Sequence, residues 1–132
     1  MAPDLPPPLD LAPVTRTDFV RYAGASGDFN PIHHDAAFAA AAGLHDVMAQ
    51  GMFSAGLVAT ALERWFGPGA LTRFAVRFRR PVWPGDVLQV RCDSLVPRAD
   101  GTADLEVSLV RQDGEIVLGS TATIQPQEGT GT

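Results

Sequence analysis

The chain has 132 residues, 45% of them apolar, a formal net charge of −5, a single cysteine and no lysine. That length suits one compact domain with a real core and excludes two of ordinary size. The charge excludes general nucleic-acid binding, which needs a basic face, and a lone Cys92 excludes an intrachain disulfide framework.

Residues 1–13 are Pro-rich and acidic, and are expected to lie extended along the surface or to be partly disordered. They lack the basic, apolar, small-residue order of a signal peptide, so the expected location is the cytoplasm, with Cys92 a free thiol in a reducing compartment. Thr15 or Thr17 can cap a short helix running to about Gly24, with Asp18 favourable in its first turn. Ser26-Gly27-Asp28-Phe29-Asn30-Pro31 is turn chemistry. Asp35 can cap a second helix over residues 36–42, and Gly43 is placed to end it.

Residues 51–66 show a helical pattern that is apolar on nearly all sides until Glu63 and Arg64, so a helix buried all round is expected. The uncharged run at 47–62 is too short to cross a bilayer and is broken by Gly51 and Gly56, so no membrane span is expected. Gly67-Pro68-Gly69 stops the helix. Four strands follow: one where Phe74, Val76 and Phe78 alternate with Ala75, Arg77 and Arg79, then 87–96, 102–111 and 115–124, separated by Pro84-Gly85-Asp86, Ala99-Asp100-Gly101 and Asp113-Gly114. The order predicts an α+β domain over residues 1–132, a meandering sheet wrapped around a long apolar helix, with a loose tail at 125–132.

The segment that carries chemistry is Gly27-Asp28-Phe29-Asn30-Pro31-Ile32-His33. It places a carboxylate and an imidazole on a Pro-restrained loop able to aim both at one point. A neutral His33 can take a proton from water while Asp28 orients that water or the ring. Asn30 can bond nearby backbone and hold the turn, and Pro31 restrains it from the other side. The same residues also read as an ordinary Asx/Pro turn beside a surface histidine.

Residues 22–33 resemble the signature of the MaoC-like dehydratases and (R)-specific enoyl-CoA hydratases. Ala49-Gln50-Gly51-Met52 is similar to the family's Ala-His-Gly-Met, and Phe74-Ala75-Val76-Arg77-Phe78 with Pro81-Val82-Trp83-Pro84-Gly85-Asp86 to its strand leading into Pro-Val and Gly-Asp. The resemblance implies a hot-dog fold, a curved antiparallel sheet around the long helix. It implies that Asp28 and His33 are the catalytic pair and that the Gly51 N–H is the donor to the thioester oxygen. A helix N-terminus suits that role, and glycine permits close approach; close helix–sheet packing is the other reading of Gly51. Gln50 stands where the family usually has histidine, altering the expected pocket wall, and Ala59 stands where some hydratases carry serine. The implied activity is addition of water to trans-2-enoyl thioesters, or its reversal, with no cofactor. The implied substrate is an acyl-CoA or an acyl group on acyl carrier protein. A non-catalytic hot-dog subunit that supports a partner is the reading from another class. A dimer, with itself or with a related chain, is expected because a lone sheet leaves an edge and a face uncovered.

His33, His34, Asp35 and His45 could suggest a metal site, but adjacent histidines rarely share one metal, so none is expected. Cys92, Asp86, Trp65 and Trp83 read as packing or turn residues, with Trp83 a candidate wall of an acyl tunnel. Arg77 and Arg79 share a strand face. They read either as a solvated face or as the phosphate-binding arginines of a coenzyme A or phosphopantetheine site.

Overall fold

The computed structural model describes residues 4–126. In chain order the elements are β1 (Leu9–Asp10), α1 (Arg16–Ser26), a 3-10 turn (Pro31–His33), α2 (Ala36–Ala41), α3 (Gly51–Phe66), β2 (Leu71–Phe78), β3 (Leu88–Pro97), β4 (Ala103–Arg111) and β5 (Ile116–Ile124). The strands form one antiparallel sheet in the order β1-β3-β4-β5-β2.

Local chemistry sets the helix starts. The Thr15 hydroxyl accepts from the Asp18 amide at 3.1 Å, and the Asp18 carboxylate accepts from the Thr15 amide at 2.9 Å, a reciprocal cap. Asp35 accepts from the Ala37 and Phe38 amides, both at 3.1 Å, and so starts α2.

The sheet is a meander only through β3, β4 and β5. β2 does not lie beside β3, as a simple succession of strands would require; it crosses to the far edge and pairs with β5, Val76 opposite Ser120 and Phe78 opposite Leu118. α3 fills the space spanned by that crossover, touching β2, β3, β4 and β5. A fifth strand joins the sheet through the N-terminal segment, whose Leu9 and Asp10 pair with Val90 and Gln89. Gln125 is also less loose than its sequence suggests, donating its amide to the Ala70 carbonyl at 2.7 Å. Residues 1–3 and 127–132, the ends of the two expected loose segments, lie outside the described residues.

The core lies between α3 and the sheet. Ala55, Val58, Ala61 and Leu62 from the helix meet Val90, Leu105, Val107, Leu109 and Leu118 from the strands. Burying each leucine or valine is worth roughly 1.5–3 kcal/mol, so this face alone can hold α3 in place. The other face departs from expectation. α3 is not buried all round: Met52 is 60% exposed, and Gly56, Thr60 and Glu63 are also exposed. One sheet covers one stripe of a helix, and the sequence is more apolar than that single contact needs. Among the described residues no helix is long and apolar enough to cross a membrane.

Candidate active site

The loop between α1 and α2 is held by short-range bonds from its own polar side chains. Gly27 ends α1 at φ 77°, a left-handed conformation that reverses the chain at little cost only for glycine. The Ser26 hydroxyl donates to the Tyr22 carbonyl at 2.7 Å and accepts from the Asp28 amide at 3.2 Å. Asp28 Oδ1 accepts from the Asn30 amide at 3.3 Å, and Asn30 Oδ1 accepts from the Ile32 amide at 3.2 Å. Pro31 opens the 3-10 turn that ends in His33. Asn30 and Pro31 therefore do what turn chemistry assigns them.

His33 is buried, 7% exposed. Its Nδ1 lies 2.7 Å from the Met48 carbonyl, and its Nε2 lies 3.5 Å from Asp28 Oδ2. A carbonyl can only accept, so Nδ1 carries the proton and Nε2 of the neutral ring is a bare acceptor. Two acceptors, an imidazole nitrogen and a carboxylate oxygen, thus face one point. A water molecule has two O–H donors and fits that arrangement. Its oxygen lone pairs are then free, and both its neighbours can take a proton.

Met48 also ties the loop to the rest of the site. Its amide donates to the Ile32 carbonyl at 3.0 Å, and the next amide, Ala49, donates to the Val82 carbonyl at 2.8 Å. The chain then enters α3 at Gly51. Among the described residues no side chain caps this helix, so its start carries first-turn N–H groups without a side-chain acceptor and a positive dipole end. A Cβ on Gly51 would lie 3.1 Å from the Phe78 ring, so the glycine serves close packing against β2. The close-packing reading of Gly51 is the one this contact bears out.

Gln50 is placed differently from a pocket wall. It is 1% exposed, its Nε2 donates to the Phe19 carbonyl at 2.9 Å, and its buried Oε1 has no partner among the described residues. Its side chain joins α1 to the start of α3. Ala59 sits half-buried, two turns along α3. Arg77 and Arg79 line a cleft of about 530 Å³ together with Arg80, beside the β4–β5 turn. Asp86 is a turn carboxylate, accepting from the Trp83 amide at 2.8 Å and the Gln112 side chain at 3.1 Å. Trp83 packs against His45, with ring centroids 3.9 Å apart, and His34 faces the Phe29 carbonyl. The other two histidines are thereby engaged elsewhere. Cys92 is buried, and desolvation raises its thiol pKa above the ordinary value.

The Met48 carbonyl, the Phe78 ring and Ser54 escape a side-chain reading of the sequence. The first is backbone and the second comes from a distant strand. Ser54 lies three residues beyond Gly51, on the same helical face, and that spacing is a usable signal.

The sequence model of one family, described as "MaoC like domain", matches residues 3–106. The chain belongs to the MaoC-like family. Among curated relatives, this MaoC-like chain is 39% identical over 103 residues to 3-hydroxyacyl-thioester dehydratase X of Mycobacterium tuberculosis, covering 78% of this chain and 35% of the relative. It is 36% identical over 88 residues to 3-hydroxybutyryl-CoA dehydratase of Methylorubrum extorquens, covering 64% and 56%. The chain thus spans about a third to a half of the length of these two relatives. The unliganded R-hydratase PhaJ1 of Pseudomonas aeruginosa superposes with TM-score 0.86 at 29% identity, over 96% of this chain and 84% of that one. The ChsH1–ChsH2 complex of Mycobacterium tuberculosis shares the fold, with TM-score 0.84 at 23% identity over 96% of this chain and 98% of that one. The MaoC-like chain has the hot-dog fold, as its resemblance implied.

Proposed function

We propose that this domain is an enoyl-thioester hydratase, adding water across a trans-2,3 double bond to give an (R)-3-hydroxyacyl thioester, or running the reverse dehydration. The observation that carries the reading is the pair of acceptors, His33 Nε2 and Asp28 Oδ2, 3.5 Å apart on one short loop. The uncapped start of α3 is joined to that loop through Met48. The relatives named dehydratases and the hydratase of the same fold support it.

The reading assigns each step to one of these groups. His33 and Asp28 hold a water by its two hydrogens. The water oxygen attacks C3 while one of the pair takes a proton, and the electrons of the double bond move onto the thioester oxygen. The Gly51 amide donates to that oxygen as charge develops, an interaction worth roughly 3–4 kcal/mol at comparable sites. One member of the pair then returns a proton to C2, and the enolate collapses. Only proton transfers and one C–O bond are involved, and these three groups supply them.

Arg77 and Arg79 are assigned to the substrate's phosphate, which an acidic chain without lysine must otherwise repel. The domain is further assigned to a dimer, with itself or with a related hot-dog chain. The exposed face of α3, the open edge of β2, and the exposed Met52 and Phe78 beside Gly51 support that assignment, as does the occurrence of the fold in a two-chain complex. Purified protein incubated with crotonyl-CoA, followed at the conjugated enoyl-thioester absorbance and by chiral analysis of the product, tests the reaction. Loss of absorbance with formation of the (R)-3-hydroxy product is expected.

A further inference from the structure

α3 opens onto a cleft of about 350 Å³ with mainly apolar walls from Met48, Gly51, Phe78, Pro81 and Val82. Ser54 is out of keeping with those walls. It lines the cleft and is only 5% exposed, and its hydroxyl has no hydrogen-bond partner among the described residues. Thr60, on the same helix, gives its hydroxyl to the Gly56 carbonyl at 2.8 Å; Ser54 makes no such bond to its own helix. The hydroxyl opens onto the cleft, where it is available to donate to or accept from a ligand.

This cleft meets the polar cleft of about 530 Å³, the two sharing Arg79 and Arg80. Arg77 adds a third guanidinium, and Glu115, 4.0 Å from Arg80, is the single carboxylate on the wall. Three arginines against one acid, in a chain of net charge −5, is a composition suited to phosphate.

The groups therefore come in a fixed order: the Gly51 amide, the hydroxyl of Ser54, whose Cα lies about 4.5 Å further along the helix axis, apolar walls, then arginines. The carrier arm of a biological thioester has the same order. From the thioester oxygen it runs to an amide three bonds beyond sulfur, then to a dimethyl-bearing stretch, then to a phosphate. An acyl chain has the opposite requirement, an apolar dead end.

We infer that this route holds the phosphopantetheine arm and that the Ser54 hydroxyl bonds the amide nearest the sulfur, making Ser54 a determinant of carrier specificity. The inference rests on the hydratase reading above. Its ligand chemistry is common to coenzyme A and to the prosthetic group of an acyl carrier protein, and the test separates them.

Wild type, Ser54→Ala and Arg79→Ala/Arg80→Ala are compared on four crotonyl thioesters: coenzyme A, acyl carrier protein, N-acetylcysteamine, which keeps only the first amide, and a simple alkyl thiol, which has none. Ser54→Ala is expected to lower the ratio of kcat/KM for the N-acetylcysteamine thioester over the alkyl thioester about five-fold, the scale of one hydrogen bond. The arginine variant is expected to lower the ratio for coenzyme A over N-acetylcysteamine several-fold. An equal loss with acyl carrier protein assigns the shared phosphate, and a loss with coenzyme A alone assigns its nucleotide phosphates. Equal effects of Ser54→Ala on the amide-bearing and amide-free thioesters overturn the inference. So does an altered acyl-length preference with unaltered amide discrimination, which would put the acyl chain in this cleft. Failure of wild type to turn over any of the four overturns the hydratase reading, and the inference with it.

Discussion

His33 and Asp28 meet at 3.5 Å because the ring is held from behind: the Met48 carbonyl fixes Nδ1 at 2.7 Å and leaves Nε2 pointing at the carboxylate. The pair is unequal in burial. The His33 side chain is 8% exposed and that of Asp28 46% exposed. The two residues therefore carry different structural costs for the same chemical role.

Asp28→Asn is expected to lower kcat by about two orders of magnitude or more, the scale of a lost general acid or base, with thermal stability near wild type. His33→Ala is expected to lose as much activity and also stability. It removes the bond to the part-buried Met48 carbonyl, a cost of about 1 kcal/mol. The reading of His33 as a surface histidine fails, since it is buried, whereas Asp28 is exposed. Urea denaturation and initial rates check both. Equal stability of the two variants would contradict the assigned bond to Met48.

Gly51→Ala is expected to fold, because its Cβ would approach only the Phe78 ring, at 3.1 Å, and a side chain can give by the few tenths of an ångström needed. Activity is expected to fall about ten-fold or more, since the methyl group and displaced ring crowd the donor to the developing oxyanion. A fall in KM-type binding alone, with kcat intact, would remove Gly51 from the transition state.

Arg77→Ala with Arg79→Ala is expected to raise KM for a coenzyme A thioester several-fold and to leave kcat nearly unchanged, because phosphate contacts remote from C2 and C3 contribute uniform binding. The effect should shrink for a pantetheine thioester lacking the nucleotide. Equal loss with both would mean that the arginines act through fold or assembly.

The parts of this site legible in the sequence are those whose signal is local. The caps at Thr15 and Asp35, the α3 bounds and the Asp28–His33 loop each follow from residues within a few positions of one another. The crossover of β2 to the β5 edge, the pairing of Leu9 with Val90 and the approach of Phe78 to Gly51 join residues far apart in the chain, and no local pattern encodes them. Gln50 shows the same limit. The family resemblance implies a pocket wall there, whereas its partner in the structure, the Phe19 carbonyl, lies 31 residues back. The apolar pattern of α3 implied complete burial, but periodicity reports a preference for cover and not what supplies it.

Assembly is checked by sedimentation at micromolar concentration. A dimer is expected, with Met52 and Phe78 covered, and Met52→Glu should weaken it by placing a charge in that contact. A stable, fully active monomer would rule the assignment out.

Acid should destabilise the fold below the ordinary carboxylate range. Asp46 is held below its usual pKa by the Val47 amide and Arg16, Asp104 by Thr123 and Arg98, and Asp113 by Arg111 and the Glu115 amide. Folded-state values below the unfolded ones contribute stability above the unfolded pKa and lose it as pH falls through the folded pKa. Asp113 is exposed and Asp46 and Asp104 are partly so, and added salt should diminish the effect. Melting temperature against pH at two ionic strengths measures it.

The most direct measurement of the central claim is a double-mutant cycle on crotonyl-CoA hydration with Asp28→Asn, His33→Ala and the combined variant. If both side chains hold and deprotonate one water, either loss disables the same unit, and the double variant should be no worse than the poorer single within about three-fold. Multiplicative losses, or a folded single variant retaining near wild-type turnover, would contradict a shared water between Asp28 and His33.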